Sequence, residues 1–282
     1  MSGQPRIAMS EKMIRPVVRY RDGEWVRTDD EIATEYALTI YVNDNELATI
    51  VCTPSYMEDL VYGFLASEGI IQSVDQVESL QLSRFLGTAR VRTKSAITFN
   101  QAFYNKRYIA SCCGKGRQSF YFQNDAVTAK RVDDAVTLSP DEVFAVIDEL
   151  DGAATLFQET GGVHMAALCT PEKLLLARTD IGRHNALDKI YGYCLQNGIS
   201  LQGTVIAFSG RISSEVLLKV SKIGVGIVIA RSAPTALAID MADELGITAI
   251  GFVRGRAFNV YSHPWRIAGA LQADAQADTQ VK

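Results

Sequence analysis

The pattern of apolar and polar positions divides the chain in two. Over the first hundred residues, short extended runs alternate with turn residues. Val17-Val18-Arg19-Tyr20 and Trp25-Val26-Arg27 flank Arg21-Asp22-Gly23-Glu24, and an Asp-Gly pair between extended runs predicts a hairpin. Tyr36 to Val42 and Glu46 to Cys52 flank Asn43-Asp44-Asn45 and predict a second. Residues 1 to about 14 read as a lead-in. Thr53-Pro54-Ser55 predicts a helix to about Glu68, with Ser55 as N-cap, Glu58 completing a capping box, and Gly69 as the stop. Residues 74–99 predict two or three more strands. Ser139-Pro140-Asp141-Glu142 predicts another helix start, with proline in the first turn and acids against the positive helix end.

From about residue 155 strands alternate with helices. Strands are expected at Val163–Cys169, Lys173–Ala177, Thr204–Phe208, Gly226–Ala230 and Thr248–Val253. Helices are expected over about 183–196, 213–222 and 234–245. Val205-Ile206-Ala207-Phe208 and Ile227-Val228-Ile229-Ala230 are apolar throughout, which marks strands covered on both faces, as in a parallel sheet. The expected fold is α/β, α+β overall. It comprises a mixed, mostly β N-terminal domain over 15–110, a cysteine loop and connector over 111–135, and an α/β domain over 136–270.

Composition narrows the function classes. The 282 residues are 48% hydrophobic and 21% charged, ordinary for a soluble globular protein. The net charge of -4 gives no support for a general nucleic-acid surface. There is no membrane-spanning apolar run and no signal-peptide core in Met1 to Lys12. Five cysteines, an odd count, do not form a disulfide framework, so a reducing cytoplasm is the expected compartment.

Two of those cysteines sit side by side in Ile109-Ala110-Ser111-Cys112-Cys113-Gly114-Lys115-Gly116-Arg117. Nearby cations lower a cysteine pKa, and the thiolate is the nucleophile. Neighbouring Cα atoms are about 3.8 Å apart, below the usual disulfide range of about 4.4–6.8 Å, so the pair does not close a relaxed disulfide. The segment reads as reactive sulfur on a loop, and the alternative is a buried small-residue turn. Cys52, Cys169 and Cys194 lie in apolar elements and read as core. Zinc sites need clustered ligands such as CxxC, or HxE with PCxxC, and neither occurs, so no metal site is expected.

In open α/β sheets, ligands bind beyond the carboxyl ends of the strands. Here those ends are Arg178-Thr179-Asp180-Ile181-Gly182-Arg183-His184, Ser209-Gly210-Arg211, Arg231-Ser232-Ala233-Pro234, and Arg254-Gly255-Arg256. Arginine beside small residues, at three ends preceding a helix, describes an anion site, best suited to phosphate. Arg178, Asp180, Arg183, His184, Ser209, Arg211, Arg231 and Ser232 are therefore expected around one crevice with Arg254 and Arg256. Solvated arginines with ordinary caps are the alternative. His164 and His184 can act as acid, base or ligand near neutral pH, or as satisfied core residues. No P-loop and no dinucleotide fingerprint is present.

Taken together, the sequence resembles the formate dehydrogenase accessory sulfurtransferases, the FdhD/NarQ family. The resemblance rests on Cys52-Thr53-Pro54, Glu58-Asp59-Leu60, Gly63-Phe64-Leu65, the cysteine segment, Thr160-Gly161-Gly162-Val163-His164, Asp180 to Lys189, Ser209 to Glu215, Ser232 to Thr235, and Gly251-Phe252 to Tyr261. It implies a sulfur carrier that accepts sulfur from a cysteine desulfurase as a persulfide. The carrier passes it to the bis(guanine dinucleotide) molybdenum cofactor, which formate dehydrogenase requires. It also implies a cytidine-deaminase-like α/β domain without zinc chemistry, and a homodimer. The family's cofactor-binding segment maps onto Phe252-Val253-Arg254-Gly255-Arg256-Ala257, and its sulfur-carrying cysteine onto Cys112-Cys113. Of the two, Cys113 is favoured, since it adjoins Gly114 and is nearer Lys115 and Arg117. A cofactor-binding chaperone without sulfur chemistry is the alternative function.

Overall fold

A computed structural model of the chain describes residues 10–95, 108–109 and 129–271. Cys112 and Cys113, and the expected connector up to residue 128, lie outside the described residues. The first hairpin is longer than its apolar runs suggest: β1 (Lys12–Arg21) and β2 (Glu24–Ala33) pair along their whole length. Strand structure thus begins at Lys12, inside the expected lead-in. Asp22 and Gly23 both take positive φ at the turn, the conformation for which Asp-Gly is favoured.

The second hairpin, β3 (Tyr36–Val42) and β4 (Asn45–Cys52), turns at Asn43 and Asp44 in the same way. With β5 (Val77–Ser83), β6 (Thr88–Thr93) and the two-residue β7 (Tyr108–Ile109), it forms a sheet of order β5-β6-β3-β4-β7. The helix after β4, α1 (Met57–Ser67), packs its Leu60, Val61, Phe64 and Leu65 against the inward positions of β3 and β4. Its expected cap is not used. The N-cap is Tyr56, left-handed with φ of 51°, and no side chain caps the helix. The Tyr56 ring instead covers the Arg178 guanidinium at 3.9 Å.

The second sheet has the order β13-β12-β11-β10-β8-β9. Its strands are β8 (His164–Cys169), β9 (Leu174–Asp180), β10 (Val205–Phe208), β11 (Ile227–Ala230), β12 (Thr248–Arg254) and β13 (Ala257–Val260). The two all-apolar runs are neighbouring parallel strands, buried at every position, and β12 extends the parallel set. The remaining pairings are antiparallel, so the sheet is mixed and the fold is mixed α/β.

On one face lies α2 (Pro140–Gly152), which starts at Ser139 as expected and adds a Ser139–Glu142 capping box, followed by the short α3 (Thr155–Thr160), which the sequence pattern did not suggest. On the other lie α4 (Arg183–Asn197), α5 (Ser214–Ile223) and α6 (Ala236–Leu245). Six helices are described in all, and none is long and apolar enough to cross a membrane.

The two larger sheets are joined through α1 and α4. A Cβ on Gly63 would fall 1.7 Å from the Asp188 carbonyl oxygen, and one on Gly192 would fall 1.9 Å from that of Asp59. The helices therefore touch backbone to backbone. Beside this contact, Ser67 Oγ and Lys219 Nζ both donate to the buried Asp188 carboxylate.

Candidate functional site

Strands β9, β10, β11 and β12 all end at one edge of the six-stranded sheet, and antiparallel β8 begins there with His164. Helices α4, α5 and α6 start at the same edge. Two of their N-termini are closed by their own residues: Ser213 Oγ accepts from Val216 N and Thr235 Oγ1 from Ala238 N. The N-cap of α4 is Gly182, without a side-chain cap.

Two expected site residues are removed from the crevice by burial. Arg178 donates through Nε to Asp59 Oδ2 at 2.9 Å, and its Nη2 lies 2.8 Å from the same oxygen. Its guanidinium is covered by the rings of Tyr56 and Tyr193. Asp180 is fully buried. Its carboxylate pairs with Lys189 Nζ at 2.7 Å and accepts from Thr53 N, Thr53 Oγ1, Gly182 N and Asn185 Nδ2. Both residues tie the first sheet to the second, and their charged groups are buried and paired there. The corrected set depends on pairings across 119 and 127 residues of sequence, which no local pattern contains.

The other arginines sort by their partners. Arg231 pairs with Asp151 and Arg256 with Asp141, both on α2. Those carboxylates are ten residues apart, about 15 Å along a helix, so Arg231 and Arg256 sit at opposite ends of α2 and not side by side. Arg183, Arg211 and Arg254 have no carboxylate partner among the described residues. Arg183 is half-buried in the first turn of α4, with its Nε sealed from solvent and without a hydrogen-bond partner. His184 Nε2 lies 3.1 Å from Glu215 Oε2, bridging the first turns of α4 and α5.

Ser209 extends the β10–β8 ladder: its hydroxyl accepts from Met165 N at 2.8 Å and its amide donates to Met165 O. Ser232 follows Arg231, and its carbonyl accepts a long 3.5 Å bond from Phe252 N. Phe252 carries a φ of 55°, uncommon for a bulky residue, where the β12–β13 register shifts between Gly251 and Arg254. Gly255, with φ of 56°, and Arg256 then make the turn into β13, which leaves Arg254, Arg256 and Ala257 exposed and Val253 buried.

His164 faces Asp180 across the β8–β9 ladder. Burial pushes its pKa down, the Arg183 cation adds to this, and Asp180 opposes it. The folded protein thus disfavours the protonated ring. Stability contributed by this residue is fully present above the unfolded value of 6.5 and is lost as pH falls through it toward the folded value. In an NMR titration of the ring carbons, the His164 midpoint is expected below 6.5. A midpoint at or above 6.5 would contradict the buried placement.

The three described cysteines are poor nucleophiles. Burial pushes Cys52 and Cys169 up to about 12 and Cys194 up to about 11. The chain toward the other two leaves through β7, which runs parallel to β4 with Ile109 opposite Ile50. It therefore departs at the end of β4 where Val51 O accepts from Asn185 Nδ2 and Thr53 meets Asp180. The end of β7 and the crevice of the second sheet share one end of the molecule.

The family model for the FdhD/NarQ family matches residues 33–268. The chain belongs to that family. Relatives at about half identity span nearly the whole length. The sulfur carrier protein FdhD of Bacillus subtilis is 54% identical over 261 residues, covering 92% of this chain and 99% of that protein. The sulfur carrier protein FdhD of Staphylococcus aureus is 48% identical over 258 residues, covering 92% and 97%. The fold matches the crystal structure of a Desulfotalea psychrophila protein described as a formate dehydrogenase accessory protein. That match has a TM-score of 0.74 at 24% identity, over 92% of this chain and all of the other. The FdhD/NarQ match begins at residue 33, where the β1–β2 ribbon ends. It therefore covers both larger sheets and the whole crevice.

Within the family chain, sequence reasoning did not find the partners that decide what each arginine is free to do: Asp59, Asp141, Asp151 and, for His184, Glu215. Asp59 and Glu215 stand in motifs that carry the family resemblance, but only the fold shows what they hold.

Proposed function

We propose that the protein is a sulfur carrier of formate dehydrogenase maturation, acting as a sulfurtransferase through a persulfide on Cys113 or Cys112. The observation that carries this reading is the state of the other cysteines. Three of the five are buried with their thiols held protonated, so a reactive thiolate falls to the adjacent pair. The names of the relatives support the same role.

In the reaction, a carrier thiolate attacks the outer sulfur of the donor's persulfide. The S–S bond of the donor breaks, its thiolate leaves, and the carrier becomes the persulfide. No external oxidant or reductant is needed, because the sulfane sulfur keeps its oxidation state in the exchange. The donor in this reading is a cysteine desulfurase. The acceptor is the bis(guanine dinucleotide) molybdenum cofactor, as cargo on its way to formate dehydrogenase.

Among the described residues, Arg183, Arg211 and Arg254 are the crevice arginines without a carboxylate partner and would meet its phosphates, with Phe252 to Ala257, Ser209 and Ser232 beside them. Burial disfavours the charged form of His164, so the arginines and not this ring supply positive charge there. The finer picture includes a cytidine-deaminase-like α/β unit, a homodimer and a cytoplasmic setting.

Incubation with a cysteine desulfurase and cysteine is expected to add one sulfur by intact mass, reversed by reductant, and Cys113→Ala is expected to abolish the gain. If Cys112→Ala abolishes it instead, the carrier is Cys112. No adduct on the wild type would favour a cofactor-binding chaperone without sulfur chemistry.

A further inference from the structure

We infer that Asp151 is an affinity-determining residue of the crevice: its carboxylate occupies the guanidinium fork of Arg231 that a ligand phosphate would take, and the ligand must displace it. This rests on the reading above that the crevice receives a phosphate-bearing ligand. Arg231 follows β11 directly. Its Nε donates to Asp151 Oδ1 at 3.3 Å, its Nη2 pairs with Asp151 Oδ2, and its Nη1 donates to the Val253 carbonyl at 3.3 Å. Two nitrogens on two carboxylate oxygens is the planar, bidentate arrangement that arginine also makes with phosphate. The bond to Val253 belongs to the end of β12, so the guanidinium keeps an anchor when the carboxylate is gone.

The pair is built to open. The Arg231 and Asp151 side chains are 34% and 48% exposed, against 7% and 13% for Arg178 and Asp59. Arg178 has two aromatic rings over it, and Asp59 accepts a further bond from Gln196. One Arg–Asp pair is closed into the joint between the sheets, and the other faces solvent at the ligand edge. The Asp151 carboxylate has no second partner among the described residues; it is the backbone carbonyl of Asp151 that Ala154 and Gln158 use. A tethered carboxylate competes evenly with a singly charged anion and poorly with a multiply charged phosphate. The ligand group favoured at this fork is therefore a multiply charged phosphate, such as a diphosphate.

The test is calorimetric titration of the full chain with guanosine diphosphate, comparing wild type, Asp151→Asn and Asp148→Asn. Asp148 is exposed on the same helix and controls for loss of one negative charge. Exposed ion pairs are weak, so Asp151→Asn is expected to tighten binding about three- to tenfold, with Asp148→Asn near wild type. Binding by wild type that Asp151→Asn leaves unchanged or weakens would overturn the inference alone, since Asp151 would then be irrelevant or would orient Arg231 for the ligand. Equal tightening by both variants would also overturn it, because the effect would be the general field. No binding by any of the three would remove the phosphate reading itself, and the inference with it.

Discussion

Gly192→Ala lowers the unfolding free energy by about 3 kcal/mol or more, at or beyond the upper end for overpacked cores. The added methyl would fall 1.9 Å from the Asp59 carbonyl oxygen and 2.6 Å from the Gly63 amide nitrogen. Those atoms are helix backbone and cannot rotate away as a side chain would. Relief requires α1 and α4 to move apart, and the same movement strains the Arg178–Asp59 and Asp180–Thr53 bonds across the joint. By contrast, Gly152→Ala has open space around it and is expected to change stability little. Urea denaturation of both variants, followed by circular dichroism, checks the pair. A loss below about 1 kcal/mol for Gly192→Ala would mean that the helices are not in backbone contact.

Lys189→Met is expected to cost about 3–5 kcal/mol, the range for breaking a buried ion pair by removing one partner. Lys189 and Asp180 are both fully buried, 2.7 Å apart. The ammonium also donates to Thr53 Oγ1 at 2.7 Å and the Thr179 carbonyl at 3.1 Å. Its removal leaves a carboxylate in the interior with neutral donors only. Adding Asp180→Asn should return part of the loss, because it removes the charge, while its NH2 must face N–H groups that the carboxylate accepted from. That rescue separates an uncompensated charge from simple loss of packing. If the double variant is no more stable than Lys189→Met, the loss is packing and the charge is incidental. Persulfide loading of the double variant should remain intact, since Asp180 takes no part in the proposed sulfur exchange.

These two predictions concern residues whose roles the motif alone does not reveal. Asp180, Asn185, Asp188 and Lys189 stand in one short stretch, and the sequence reading set Asp180 at a ligand rim beside His184. In the fold, the stretch is the joint between the two larger sheets: Asp180, Asn185 and Lys189 reach Thr53 and Val51, while Asp188 holds Ser67 and Lys219. The strand-end argument did bring Ser209, Arg231, Ser232 and Arg254 to one edge, because strand direction is set by the alternation of strands with helices on one face. It did not say which arginines were already paired.

What the sequence by itself determined is local chemistry. Asp22-Gly23 and Asn43-Asp44 fix their turns because positive φ suits those residues. Ser139 with Glu142 starts α2 because the two side chains satisfy each other's backbone amides. The apolar runs of β10 and β11 have no polar face to show to water, so they are covered on both sides. Tertiary structure alone decided the rest. The helix starts at Tyr56 and not at the Ser55 cap, and the Tyr56 ring covers Arg178 from another sheet. Arg178 and Asp180 became joint residues because buried charges must be paired, and their partners Asp59 and Lys189 are supplied by packed helices. Arg183, Arg211 and Arg254 have no carboxylate partner among the described residues, because packing brought none of the described acids to them.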